Sequence, residues 1–98
     1  MEKPTPHYEL TVVKAYVEAG KVRATSSARL GATTLELEPS DMLAALIALT
    51  PADFYKGMTT RAGPSIWQDV YRPNTPAGDV YLKLTVIDDV LIVSVKEL

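Results

Sequence analysis

The sequence predicts an α+β fold, a mainly antiparallel sheet of about four or more strands with N-terminal helices packed on one face. Three observations carry this. Apolar residues recur at helical spacing in the first half of the chain, strand-like alternation begins at Phe54, and Asp79 to Leu98 reads as a closing hairpin.

The elements follow in order. Residues 1–7 carry Pro4 and Pro6 and are expected to be extended, with Met1 to Pro6 the one loose stretch. Leu10, Val13, Tyr16 and Val17 lie on one helical face, Lys14 and Glu18 form an i,i+4 pair, and Gly20 suits the C-terminal stop. Lys21 to Thr25 is a candidate short strand. Ser26 or Ser27 is placed to cap a brief helical stretch that loses definition at Gly31. Ser40 caps a helix over Asp41 to Leu49, and Thr50-Pro51-Ala52-Asp53 starts a single further turn leading into a strand. Phe54 to Thr60 and Ile66 to Arg72 read as strands around the loop Arg61 to Ser65. A loop with Pro73, Pro76 and Gly78 then leads to the hairpin. No repeat or linker interrupts residues 1–98, which read as one domain.

In the hairpin, a two-residue turn at Asp88-Asp89 sets a register in which Ile87 faces Val90, Thr85 faces Ile92, Lys83 faces Ser94 and Tyr81 faces Lys96. Val80, Leu82, Leu84 and Val86 are then expected to form the core side with Leu91, Val93 and Val95. A slip of one residue would bury Lys83.

Composition narrows the function classes. The chain has 98 residues, 47% of them apolar and 22% charged, enough for an ordinary globular core without staples. Without cysteine there is no disulfide, zinc–thiolate site or thiol nucleophile, and the single His7 cannot form a multi-histidine metal site. Neither a membrane-length apolar run nor a signal-peptide pattern is present, so a soluble, cytoplasmic protein with no membrane partner is expected. A net charge of −2 provides no global steering toward nucleic acid, so any phosphate site must be a local patch.

Such a patch follows from alternation. If the two earlier strands present Lys56 and Gln68 on the Tyr81 side, one face carries Lys56, Met58, Gln68, Arg72, Tyr81, Lys83 and Lys96, with Phe54 on the same side as Lys56. The path through residues 73–78 decides that parity, and a bulge would reverse it. Cations hold phosphate, an amide contacts a base edge or phosphate, and Tyr and Met stack on bases, so the face suits an anionic substrate, RNA above all. RNA brings its own nucleophile: a 2′-hydroxyl attacks the adjacent phosphate without metal, given a proton acceptor, a proton donor and cationic stabilisation. With no histidine on the sheet, the acceptor falls to a lysine or tyrosine, and crowding of Lys56, Lys83 and Lys96 is expected to lower the lysine pKa values. Against this stands the plain reading that these are solvated residues of an exposed sheet face, with Thr59, Thr60, Thr85 and Ser94 simply suiting strands. His7 is expected at the surface and Trp67 in the core or an interface. Asp69, Asp79, Asp88 and Asp89 do not converge as a metal cluster, since neighbouring strand residues point apart and Asp88 and Asp89 form a turn.

The strings MEKPTPH, VKAYVEAGKVR, DFYKGMTT, IWQDVYRP and VYLKLTVIDDVLIVSVKE together resemble the MqsR family of bacterial toxin endoribonucleases over nearly the whole chain. The resemblance implies a RelE-like fold and metal-independent, cofactor-free cleavage of single-stranded mRNA at short GC-containing sites. It implies attack by the 2′-hydroxyl, with a 2′,3′-cyclic phosphate product. It places proposed active-site residues on Lys56, Gln68, Tyr81 and Lys96, with Met58 and Arg72 alongside in the matching strings; these two and Lys83 of the polar face are the expected RNA contacts, and no metal site is expected. It also implies a cognate antitoxin, MqsA-like, with a zinc-binding part and a helix-turn-helix part, so that DNA is met only through the partner. Departures from the family pattern are Gly57 for a small hydroxyl residue, Val95 for an aromatic, and the loop RAGPS at Arg61 to Ser65. The competing readings are a catalytically weak or inactive homologue acting as an antitoxin-binding module, and a structural domain whose sheet binds another protein.

Overall fold

The computed structural model describes residues 1–98. Its strands are β1 (Glu2–Lys3), β2 (Val22–Ala24), β3 (Phe54–Met58), β4 (Gln68–Tyr71), β5 (Asn74–Thr75), β6 (Gly78–Val86) and β7 (Val90–Glu97). Its helices are α1 (Leu10–Glu18), α2 (Ser26–Thr34) and α3 (Pro39–Ala48), with a single 3₁₀ turn at Pro51–Asp53. The sheet runs β1-β3-β4-β6-β7-β2, and β5 adds to β6. Only β2 is parallel to its neighbour, lying beside β7; every other pairing is antiparallel. The α+β class is as the sequence predicts.

All three helices cover the same sheet face. Val13 and Val17 of α1, Ala28 and Ala32 of α2, and Met42 and Leu46 of α3 enclose one core with Tyr71, Val80, Leu82, Leu84, Val90, Ile92 and Val95. Full burial of a leucine such as Leu46, Leu82 or Leu84 is worth about 1.5–3 kcal/mol against exposure. No helix is long and apolar enough to cross a membrane.

Local chemistry explains the helix ends, with two revisions. α2 starts one residue before the serine caps expected: the Thr25 hydroxyl accepts the Ala28 N–H at 3.0 Å and donates to the Val93 carbonyl at 2.7 Å. It also continues through Gly31, which is there for space rather than as a stop. A Cβ on Gly31 would lie 2.0 Å from the Val95 carbonyl oxygen, so only glycine lets α2 rest this closely on β7. α3 begins at Pro39, not after Ser40, because the Asp41 carboxylate accepts the Glu38 N–H at 2.8 Å and proline fits the first turn. The turn at Pro51–Asp53 is the one expected, closed by Asp53 accepting the Thr50 N–H at 2.8 Å.

The hairpin register holds in its outer half, where Tyr81 pairs with Lys96 and Lys83 with Ser94. It then shifts: Leu84 pairs with Ile92, Thr85 with Leu91 and Val86 with Val90, leaving Val93 as an extra residue. This β-bulge corrects the expected core set. Ile92 and Val95, of opposite parity, are both buried, whereas Leu91 and Val93 stay partly exposed. The turn consequently holds Ile87, Asp88 and Asp89, with Asp88 in the left-handed region at φ 62°. A second bulge lies between Phe54 and Lys56 and makes Tyr55 the extra residue. Phe54 therefore lies on the core side, its ring 5.5 Å from that of Tyr71, and not beside Lys56 as simple alternation suggests.

Nor is the N-terminus loose. β1 pairs with β3, and the buried Asp69 carboxylate accepts the backbone N–H groups of His7 (3.0 and 3.1 Å) and Tyr8 (2.9 Å). The Tyr8 hydroxyl is 2.9 Å from Thr85 Oγ1, which itself donates to the Trp67 carbonyl at 2.8 Å. His7 is exposed, as expected, but stacks on Trp67 at 5.4 Å.

Candidate active site

Residues paired across strands project to the same side of a sheet, so the register defines the outer face. One row reads Lys56, Val70, Lys83 and Ser94 across β3, β4, β6 and β7. The row on one side of it holds Met58 opposite Gln68, with Glu2 of β1 opposite Met58. The row on the other side holds Tyr81 opposite Lys96. Arg72 follows β4, and its guanidinium carbon lies 4.3 Å from the centre of the Tyr55 ring; that ring is 6.0 Å from Tyr81. The structure thus brings together all seven residues singled out by alternation, on the side away from the helices. The four strands span three spacings of about 4.8 Å, roughly 14 Å in all. Arg72 and Lys96 are exposed; Lys56, Met58, Gln68, Tyr81 and Lys83 are half-buried.

The electrostatics differ from expectation at Lys56. Its ammonium donates to Glu2 Oε2 at 2.7 Å. The hydrogen bond to Glu2 raises the Lys56 pKa above its ordinary 10.5, against the opposing effect of partial burial. The expected depression by neighbouring lysines does not occur there, so Lys56 is a charged group at neutral pH and not a base. Reciprocally, Lys56 holds the Glu2 carboxyl below its ordinary 4.5.

Three participants escaped sequence reasoning. Glu2 lies in a two-residue strand whose partner, β3, is more than fifty positions distant, and no local pattern marks it. Tyr55 reaches the face only through the bulge beside it. Asp69 left a trace, an acid beside the apolar Val70 and Tyr71 in β4, and its role is to anchor the segment that carries Glu2. Gly57 stands opposite Asp69, where a Cβ would lie 3.2 Å from Asp69 Oδ1 and 3.4 Å from the Thr5 carbonyl oxygen, so the position is tightly enclosed.

The face offers ammonium, guanidinium, phenol and amide groups within one open surface, a donor set matched to phosphate and base rather than to a divalent ion. No three His, Cys, Asp or Glu residues are grouped as a metal would require. A cavity of about 590 Å³ lies on the helix side among Ala28, Leu37, Met42, Ile92 and Val95, and takes no part in this surface.

Two comparisons with known proteins bear on the site. A family model described as motility quorum-sensing regulator, toxin of MqsA, matches residues 5–97. The chain is also 57% identical over 97 residues to the mRNA interferase toxin MqsR of Escherichia coli (strain K12), covering 99% of both chains.

Proposed function

The chain belongs to the MqsR toxin family, and from that membership and its polar face we propose that it is an mRNA interferase, an endoribonuclease that cleaves single-stranded mRNA by 2′-hydroxyl attack without a metal. The observation that supports this most is the convergence of Lys56, Gln68, Arg72, Tyr81 and Lys96 on one solvent-facing surface. Lys56, Arg72 and Lys96 hold the phosphate and the charge that grows on it in the transition state. Gln68 positions the nucleotide, Met58 and Tyr81 meet a base or exchange a proton, and Lys83 supports the backbone contacts. The net charge of −2 does not oppose this, because Lys56, Arg72, Lys83 and Lys96 share one face while Asp53, Asp69 and Asp89 are held elsewhere by hydrogen bonds.

The finer reading is cleavage at short GC-containing sites, arresting translation and growth until a cognate antitoxin neutralises the protein. The family description, toxin of MqsA, supports such a partner. Zinc and DNA contacts fall to that antitoxin, since this chain has no cysteine. Expression of the chain alone in bacteria tests the proposal. Growth arrest that disappears with Lys56→Ala or Tyr81→Phe supports the nuclease. Full growth at good soluble expression supports instead a homologue that acts only by binding its antitoxin.

A further inference from the structure

Cleavage by a 2′-hydroxyl needs a group that removes its proton, and the residues first assigned to the face do not include a good one. Lys56 is unsuited, because Glu2 keeps its ammonium protonated. The carboxylate responsible is itself on the face: Glu2 stands opposite Met58, in the same row as Gln68, and its Oε2 is 2.7 Å from the Lys56 ammonium. It is exposed and open to a ligand. The other acid that alternation turns to this side, Asp79, lies at the far end of β6 and is bound by the Asn74 amide at 3.1 Å.

We propose that Glu2 is the proton acceptor of the reaction, held in place by Lys56 while Lys56 binds the scissile phosphate. This deepens the nuclease reading and rests on it. The geometry is self-consistent: an ammonium has three donors, one of which reaches Glu2, leaving two for phosphate oxygens. A phosphate held there brings the neighbouring 2′-hydroxyl toward the carboxylate. The 2′ O–H bond then breaks with its proton passing to Glu2, and the O2′–P bond forms. The P–O5′ bond breaks, and the leaving 5′-oxygen takes a proton from the Tyr81 phenol. Water afterwards returns both groups to their starting states, and no oxidant or further reactant is needed. The charged groups facing Glu2 are Lys56 from β3 and the ammonium of Met1 just before β1. Both keep it ionised at neutral pH.

The test is the pH dependence of cleavage of a short GC-containing single-stranded RNA by the full chain and by its Glu2→Gln variant. In the wild type, turnover falls on the acid side as Glu2 protonates below pH 4.5. In Glu2→Gln, kcat falls by roughly 10²–10⁴-fold with KM little changed, and the acid limb flattens. A circular dichroism spectrum like the wild type's shows that the variant is folded. Cleavage by Glu2→Gln at the wild-type rate or faster overturns the proposal and makes Glu2 a plug that competes with phosphate. A slower variant that keeps the acid limb also overturns it and leaves Glu2 only positioning Lys56. A wild-type protein that leaves the RNA uncut overturns the nuclease reading beneath it, which is a distinguishable failure.

Discussion

Tyr81 and Lys96 stand directly opposite each other on β6 and β7, and the bulge at Val93 separates that pair from the turn. Their outward position is therefore set by the outer half of the hairpin alone. Lys96 makes no ion pair and no side-chain hydrogen bond with the rest of the chain, and it is exposed. Lys96→Ala is thus expected to leave the melting temperature nearly unchanged while lowering kcat by about a hundredfold, the cost of losing one charge-stabilising donor. Thermal unfolding and single-turnover cleavage measure the two effects side by side. Global unfolding of the variant would contradict the assignment.

Gly31→Ala tests the packing of α2 on β7. The added Cβ would lie 2.0 Å from the Val95 carbonyl oxygen, so the helix must shift away from the strand. Destabilisation of about 1–3 kcal/mol or more is expected in urea unfolding. A neutral effect would mean that α2 does not rest on β7 at this distance.

Much of this arrangement was legible in the sequence, and the remainder was hidden for physical reasons. Alternation in Val80 to Val86 separated core from polar face correctly because Tyr81 and Lys83 interrupt apolar neighbours. The run Val90 to Val93 is apolar at every position, so it fits either parity and conceals the extra residue at Val93. Tyr55 is concealed in the same way between Phe54 and Lys56. Glu2 and Asp69 act through contacts across 54 and 62 positions, which no local window contains. Gly31 shows the converse: a glycine at which the helical pattern loses definition is a contact surface, a distinction only the neighbouring strand reveals.

Asp69→Ala leaves the backbone N–H groups of His7 and Tyr8 without their buried acceptor. Unpaired buried donors cost about 1–3 kcal/mol each. The expected result is lower stability together with faster proteolysis within residues 1–7, since β1 loses its anchor. Limited proteolysis followed by mass spectrometry reads this directly; unchanged protection of the segment would contradict the clamp.

Burial of Tyr71, with Asp69 and Asp53 adding to it, pushes its phenol up to about 12 from an ordinary 10.0. The folded state therefore holds this proton more tightly than the unfolded chain. The corresponding stability is complete below pH 10 and is lost as pH rises from 10 toward 12, amounting to about 2–3 kcal/mol. Chemical denaturation across that range should show the loss in the wild type and a much smaller one in Tyr71→Phe. Parallel slopes in the two proteins would contradict the assignment.

Cleavage of a defined GC-rich single-stranded RNA by the purified protein in excess EDTA, followed by end-group analysis, tests the central chemistry most directly. The predicted result is cutting that persists and leaves 2′,3′-cyclic phosphate ends. Cutting that stops in EDTA and returns with a divalent ion would contradict it.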